Sequence, residues 1–150
     1  MSDVSDQAAP HPASEGWSQR ESSPLFRQIG TLWEKWHDNQ LVLGLDCTPQ
    51  TLNRTGRMHG GAISAFCDTA LGATLRAELN RTSASTPRGF TTIQLNVQYI
   101  GGVQLGDFVE ARCRIIRQTR SLAFVDGVLT VSGEPVAAVQ SVFKFVRATS

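Results

Sequence analysis

Between Asn53 and Leu79 the chain brings together side chains able to do carbonyl chemistry: an amide at Asn53, an imidazole at His59, the adjacent glycines Gly60 and Gly61, and a carboxylate at Asp68. His59 follows Asn53 by six residues and Asp68 follows His59 by nine. After Gly61 the apolar residues Ile63, Phe66, Cys67, Ala70 and Leu71 recur at helical spacing, so a glycine-rich loop opens a long helix. No strongly charged residue other than Asp68 interrupts that helix before Arg76 and Glu78. A helix apolar nearly all round is a buried one, and a carboxylate inside it is costly unless something polar meets it. The first turn offers free N–H groups and the positive end of the helix dipole, and glycines allow close approach to that backbone. Loop, donors and carboxylate together suit a site that holds a carbonyl oxygen and activates water.

The elements that must position these groups are legible from periodicity. Ser23-Pro24 is a helix start, with Leu25, Phe26, Ile29, Leu32, Trp33 and Trp36 on one face and an end near Asp38. Such a face packs against a sheet, or else Trp33 and Trp36 line an acyl pocket. Leu41, Leu43, Leu45 and Cys47 alternate as a first strand, and beyond Gly89 the period is two throughout. Ile93, Leu95, Val97 and Tyr99 oppose the polar set Thr92, Gln94, Asn96 and Gln98. Further strands run through Val109–Ile115, Ala123–Val131 and Val139–Phe145, joined by short turns that favour antiparallel pairing. The expected fold class is α+β: one antiparallel sheet of about five or six strands around a long central helix, with an extra N-terminal helix.

At 150 residues the chain is expected to form one domain over 23–150, preceded by a flexible tail over 1–22 rich in Ser, Pro and Ala. Fourteen basic against thirteen acidic residues give a net charge of +1, which makes no case for nucleic acid or an anionic membrane. Cys47, Cys67 and Cys113 are odd in number and far apart, which reads as buried thiols in a reducing, cytoplasmic setting. No metal pattern, dinucleotide loop or Walker loop is present, and Ser64 lies within the helix rather than on a nucleophile elbow.

The spaced set Asn53, His59-Gly60-Gly61 and Asp68 resembles the hotdog-fold acyl-CoA thioesterases, in the branch of the phenylacetate-pathway (PaaI-like) enzymes. The resemblance covers roughly residues 41–146. It implies a sheet wrapped around the central helix and a homodimer or homotetramer with each site between two subunits. It implies hydrolysis of an acyl- or aryl-CoA ester with no cofactor, since coenzyme A is part of the substrate. The Gly60 N–H and the Asn53 amide would hold the carbonyl oxygen, and Asp68 of a second subunit would act as general base or as nucleophile. His59 would shape the loop, and Thr92 would position the attacking water. For coenzyme A the resemblance points to Arg117, Arg120 and Ser121 at one turn, to Tyr99 at the start of another, and to Arg88; Thr119 stands where the family commonly has glycine. Two other hotdog activities fit less well: a non-catalytic acyl-CoA-binding module and an acyl-thioester dehydratase or hydratase.

Overall fold

A computed structural model describes residues 15–82 and 89–146 of the chain. Seven strands form one antiparallel sheet: β1 (Ser18–Gln19), β2 (Leu32–His37), β3 (Gln40–Asp46), β4 (Gly89–Tyr99), β5 (Phe108–Gln118), β6 (Leu122–Val131) and β7 (Glu134–Val146). Their spatial order is β1-β2-β3-β5-β6-β7-β4. A short helix α1 (Pro24–Ile29) precedes β2, and the long helix α2 (Gly60–Thr82) lies on one face of the sheet. Among the described residues no helix is long and apolar enough to cross a membrane.

Small inward residues help seat the helix. Ala111, Ala123 and Ala137 are buried on three adjoining strands, and Gly127 stands opposite Cys113. A Cβ at Gly127 would meet Cys113 Sγ at 2.6 Å and the Arg112 carbonyl at 2.9 Å, so glycine is what lets β5 and β6 close there. Against this floor α2 buries Ile63, Phe66, Cys67, Ala70, Leu71, Ala73, Leu75 and Leu79. Burying a large aliphatic or aromatic side chain contributes about 1.5–3 kcal/mol, and this one helix supplies much of the core.

The N-terminal third departs from the helical reading. Its apolar residues are spaced for a helix, but α1 stops at Ile29 and β2 begins at Leu32. Asp38 and Asn39 both adopt positive φ, 50° and 61°, which is the geometry of a two-residue hairpin turn. The segment is thus a strand–turn–strand in which Trp36 pairs with Leu41. Residues on β2 alternate between faces, so Leu32 joins the main core while Trp33 packs on the other side with Trp17, Val42 and Phe108. Trp33 therefore fills a satellite cluster rather than a pocket beside α2, and its Nε1 donates to Asp46 Oδ2 at 3.0 Å. Of the expected tail, Trp17 is buried and Ser18–Gln19 pairs with β2, because Trp17 finds the Phe108 ring at 5.0 Å.

Among the described strands β4 lies at one edge of the sheet and pairs only with β7. Its register slips between Thr92 and Gln94, leaving Ile93 as a bulged, exposed residue. Beside the bulge the buried Ser141 hydroxyl donates to the Gln94 carbonyl at 2.8 Å. The extra residue reverses the facing of everything before it, and this matters for the site.

Candidate active site

The loop before α2 is built around the Asn53 side chain. Its Oδ1 accepts from Thr55 N (2.9 Å), Thr55 Oγ1 (2.8 Å) and Arg57 N (3.1 Å). Those donors identify which end of the amide is oxygen, and they leave Nδ2, which makes no recorded bond among the described residues, as the outward donor. Gly56 closes the turn at φ 78°, its N–H on the Asn53 carbonyl. Backbone bonds from Met58 N to Val103 O and from His59 N to Thr51 O fasten the loop to the body.

His59 caps α2. Its Nδ1 accepts the Gly61 N–H at 2.8 Å, and its carbonyl accepts from Ala62 N and Ile63 N. Of the four N–H groups that open the helix, three are thereby satisfied inside the chain. Gly60 N–H alone has no recorded acceptor among the described residues. A single backbone donor, at the positive end of a 23-residue helix, is left for a ligand oxygen. His59 Nδ1 is committed as an acceptor to the Gly61 N–H. The second glycine of the motif is there for the same bond: a Cβ on Gly61 would stand 3.0 Å from His59 Nδ1.

Asp68 is half-buried, two turns further along α2, and Thr92 Oγ1 donates to its Oδ1 at 2.7 Å. Strict alternation puts Thr92 on the outer face with Gln94 and Asn96. The bulge at Ile93 instead turns it inward, onto the helix. No ion pair among the described residues involves Asp68, so its charge is not cancelled by a neighbouring cation. The eight-residue step from Gly60 to Asp68 spans about 12 Å of helix axis. One chain's carboxylate therefore does not reach a carbonyl held by its own Gly60.

The residues expected to contact coenzyme A divide between two ends of the molecule. Tyr99 closes β4 beside α2's first turn, where its Oη donates to the Gly60 carbonyl at 2.9 Å and pairs with Ser64 Oγ at 2.6 Å. Arg117, Arg120 and Ser121 lie exposed at the β5–β6 turn, which Thr119 shapes by accepting from Leu122 N at 3.0 Å. Across the sheet Arg117 is in line with Phe124, Val142 and Gln94, so this turn shares the Thr92 end of the chain. Arg88 lies outside the described residues. Sequence reading missed the contacts of Tyr99 with Gly60 and Ser64, which are far apart in the chain and carry no local signal.

The three thiols are all buried. Burial pushes Cys67 up to about 12, with Asp68 adding to the shift; burial does the same for Cys113, with Cys67 adding. Burial also raises Cys47. A thiol held protonated this firmly is not a nucleophile at neutral pH.

The sequence profile of the thioesterase superfamily matches residues 55–138, more than half of the chain. The chain belongs to the thioesterase superfamily. A Pseudomonas aeruginosa protein carrying a provisional esterase name is 28% identical over 123 residues, which are 81% of this chain and 88% of that protein. Among solved structures, the Escherichia coli PaaI protein of the phenylacetic acid degradation operon superposes with a TM-score of 0.72 at 15% identity, covering 85% of this chain and 88% of its own. A Bacillus halodurans protein crystallised with CoA gives 0.71 at 23% identity, covering 87% and 83%. The fold of this thioesterase-superfamily chain is the hotdog fold, with the sheet curled around α2 as the family resemblance implied. Its sheet gains β1 and β2 beyond the strands that period-two alternation shows.

Proposed function

We propose that this protein is an acyl-CoA thioesterase that hydrolyses an acyl- or aryl-CoA ester to the free acid and CoA at a site shared by two subunits. The observation that carries the proposal is the division of labour on α2: one uncommitted N–H at Gly60, and a carboxylate on the same stripe about 12 Å away. Two such helices running antiparallel set each Asp68 opposite the other's Gly60. β4 favours that pairing, since it is an edge strand whose outer hydrogen-bonding side has no neighbour among the described strands. A two-fold axis beside it forms a homodimer with two identical sites, and two such dimers can assemble further into a tetramer.

In this site the thioester carbonyl accepts from the Gly60 N–H and from Asn53 Nδ2, which stabilise the oxyanion. Asp68 of the second subunit, its Oδ1 held by Thr92, takes a proton from water as the water oxygen bonds to the carbonyl carbon. The C–S bond then breaks and the proton passes to the departing CoA sulfur. Direct attack by the carboxylate on the carbonyl carbon uses the same geometry: the C–S bond breaks, CoA leaves as its thiolate, and water then cleaves the mixed anhydride, restoring the Asp68 carboxylate and releasing the acid with the proton that the thiolate takes up. Arg117 and Arg120 suit the phosphates of coenzyme A, with Ser121 as a further donor. The crystallisation of a structural neighbour with CoA supports this choice of ligand. Three buried free thiols support action in the reducing cytoplasm.

Thiol-release kinetics across a panel of aryl- and alkyl-CoA esters test the proposal. Wild-type protein should release CoA, and Asp68→Asn should slow turnover by about 10²–10⁴-fold, the span of general-base catalysis. CoA esters bound without thiol release would make this a binding module, and enoyl absorbance would make it a dehydratase.

A further inference from the structure

The Gly60–Gly61 peptide is held at both of its polar ends by side chains from different elements. Its carbonyl oxygen accepts from Tyr99 Oη at 2.9 Å, and its N–H donates to His59 Nδ1 at 2.8 Å. Because the peptide unit is planar, fixing both ends fixes its plane and with it the Gly60 Cα. The Gly60 N–H belongs to the preceding His59–Gly60 peptide, whose carbonyl is held by Ala62 and Ile63 N–H. Glycine has no side chain to restrict the φ and ψ that join the two planes, so the clamp adds the second fixed plane at the Gly60 Cα. The Tyr99 ring completes it, lying where a Gly60 Cβ would make contact at 3.4 Å.

The clamp is directional. The single phenolic proton of Tyr99 goes to the Gly60 carbonyl, so the 2.6 Å contact with Ser64 is made by Ser64 donating to Oη. Tyr99 is 54% exposed, so burial does not force its hydroxyl onto protein; it could face water and instead takes both partners on α2. We infer that Tyr99 is a positioning residue that aims the Gly60 N–H at the thioester oxygen, with Ser64 orienting the Tyr99 hydroxyl. The inference rests on the thioesterase reading and assigns Tyr99 to the oxyanion donor rather than to coenzyme A.

Tyr99→Phe keeps the ring and removes only the hydroxyl. It should lower kcat about tenfold or more, short of the 10²–10³-fold loss of an oxyanion donor itself. KM for CoA esters, and the Kd of a non-hydrolysable CoA thioether, should stay within about twofold. Ser64→Ala should give a smaller fall of the same kind, and none when added to Tyr99→Phe. An unchanged kcat, or a weaker KM and Kd with kcat retained, overturns the assignment. Hydrogen exchange at the Gly61 amide is read alongside: it should speed up in Tyr99→Phe as the peptide loosens, and an unchanged rate overturns the clamp. If wild-type protein releases no thiol, the thioesterase reading fails by itself while the exchange measurement still decides the clamp.

Discussion

Thr92 Oγ1 lies 2.7 Å from Asp68 Oδ1, a bond between the edge strand and the central helix of one chain. Asp68 Oδ2 has no hydrogen-bond donor among the described residues. A hydroxyl donor of this kind orients the carboxylate without cancelling its charge, as a lysine or arginine would. Replacing Thr92 by valine, which keeps shape and strand preference, should lower kcat about tenfold with KM nearly constant. Steady-state kinetics on one CoA ester decide it; a rise in KM alone would move Thr92 into substrate binding.

Asn53 holds the loop through Oδ1 and, in the proposed site, would meet the substrate through Nδ2. Asn53→Asp retains an acceptor for Thr55 and Arg57 and loses the Nδ2 donor. It should fold with wild-type stability and lose about 10²-fold in kcat, as other oxyanion-donor removals do. Asn53→Ala loses both functions and should also be destabilised by about 1–3 kcal/mol, the cost of stranding the donors that Oδ1 now satisfies. Urea midpoints and kcat for the pair separate the two roles; equal stability in both variants would show that the turn does not depend on Oδ1.

Gly61 offers a test that leaves every proposed catalytic atom in place. An alanine there brings a Cβ to 3.0 Å from His59 Nδ1 and 3.3 Å from Cε1, so the imidazole must give by a few tenths of an ångström and its bond to the Gly61 N–H is weakened. Loss of a helix cap costs about 0.5–2 kcal/mol, and a weakened Gly61 N–H bond loosens the Gly60–Gly61 peptide, which adjoins the one that carries the Gly60 N–H. Gly61→Ala should therefore be less stable and slower in kcat while binding CoA as before. Isothermal titration with CoA beside the kinetics checks this, and wild-type turnover would deny His59 its part as a cap.

Much of the site was legible because its signal is local. Asn53, His59-Gly60-Gly61 and Asp68 lie on one loop and one helix face, where spacing translates directly into geometry. Thr92 was found through the family pattern, but alternation alone put it on the outer face; the single bulged residue Ile93 carries no sequence mark that fixes where the register slips. The β2 strand was misread because Leu25 to Trp36 is spaced three and four residues apart, like a helix. The discriminating signal was Asp38-Asn39, two residues that tolerate positive φ and so favour a hairpin over a helix end. The contacts of Tyr99 with Gly60 and Ser64 join positions more than thirty residues apart, and only the tertiary fold specifies such a pair.

The buried thiols make stability depend on pH in a direction set by their environment. Folded, Cys67 and Cys113 hold their protons to about 12, chiefly because burial disfavours the thiolate; an unshifted thiol ionises near 9.0. As pH rises above 9 the unfolded chain therefore loses these protons first, and ionisation draws the equilibrium toward it. Their contribution to stability is whole below about pH 9 and is lost progressively between about 9 and 12. Urea midpoints measured from pH 7 to 11 should fall across the upper part of that range. In Cys67→Ala/Cys113→Ala the starting midpoint should be lower, since two buried sulfurs are gone, but the alkaline fall should be shallower. Other titrating groups are common to both proteins, so the difference in slope isolates the two thiols, and parallel curves would show that they ionise alike in the folded and unfolded chain.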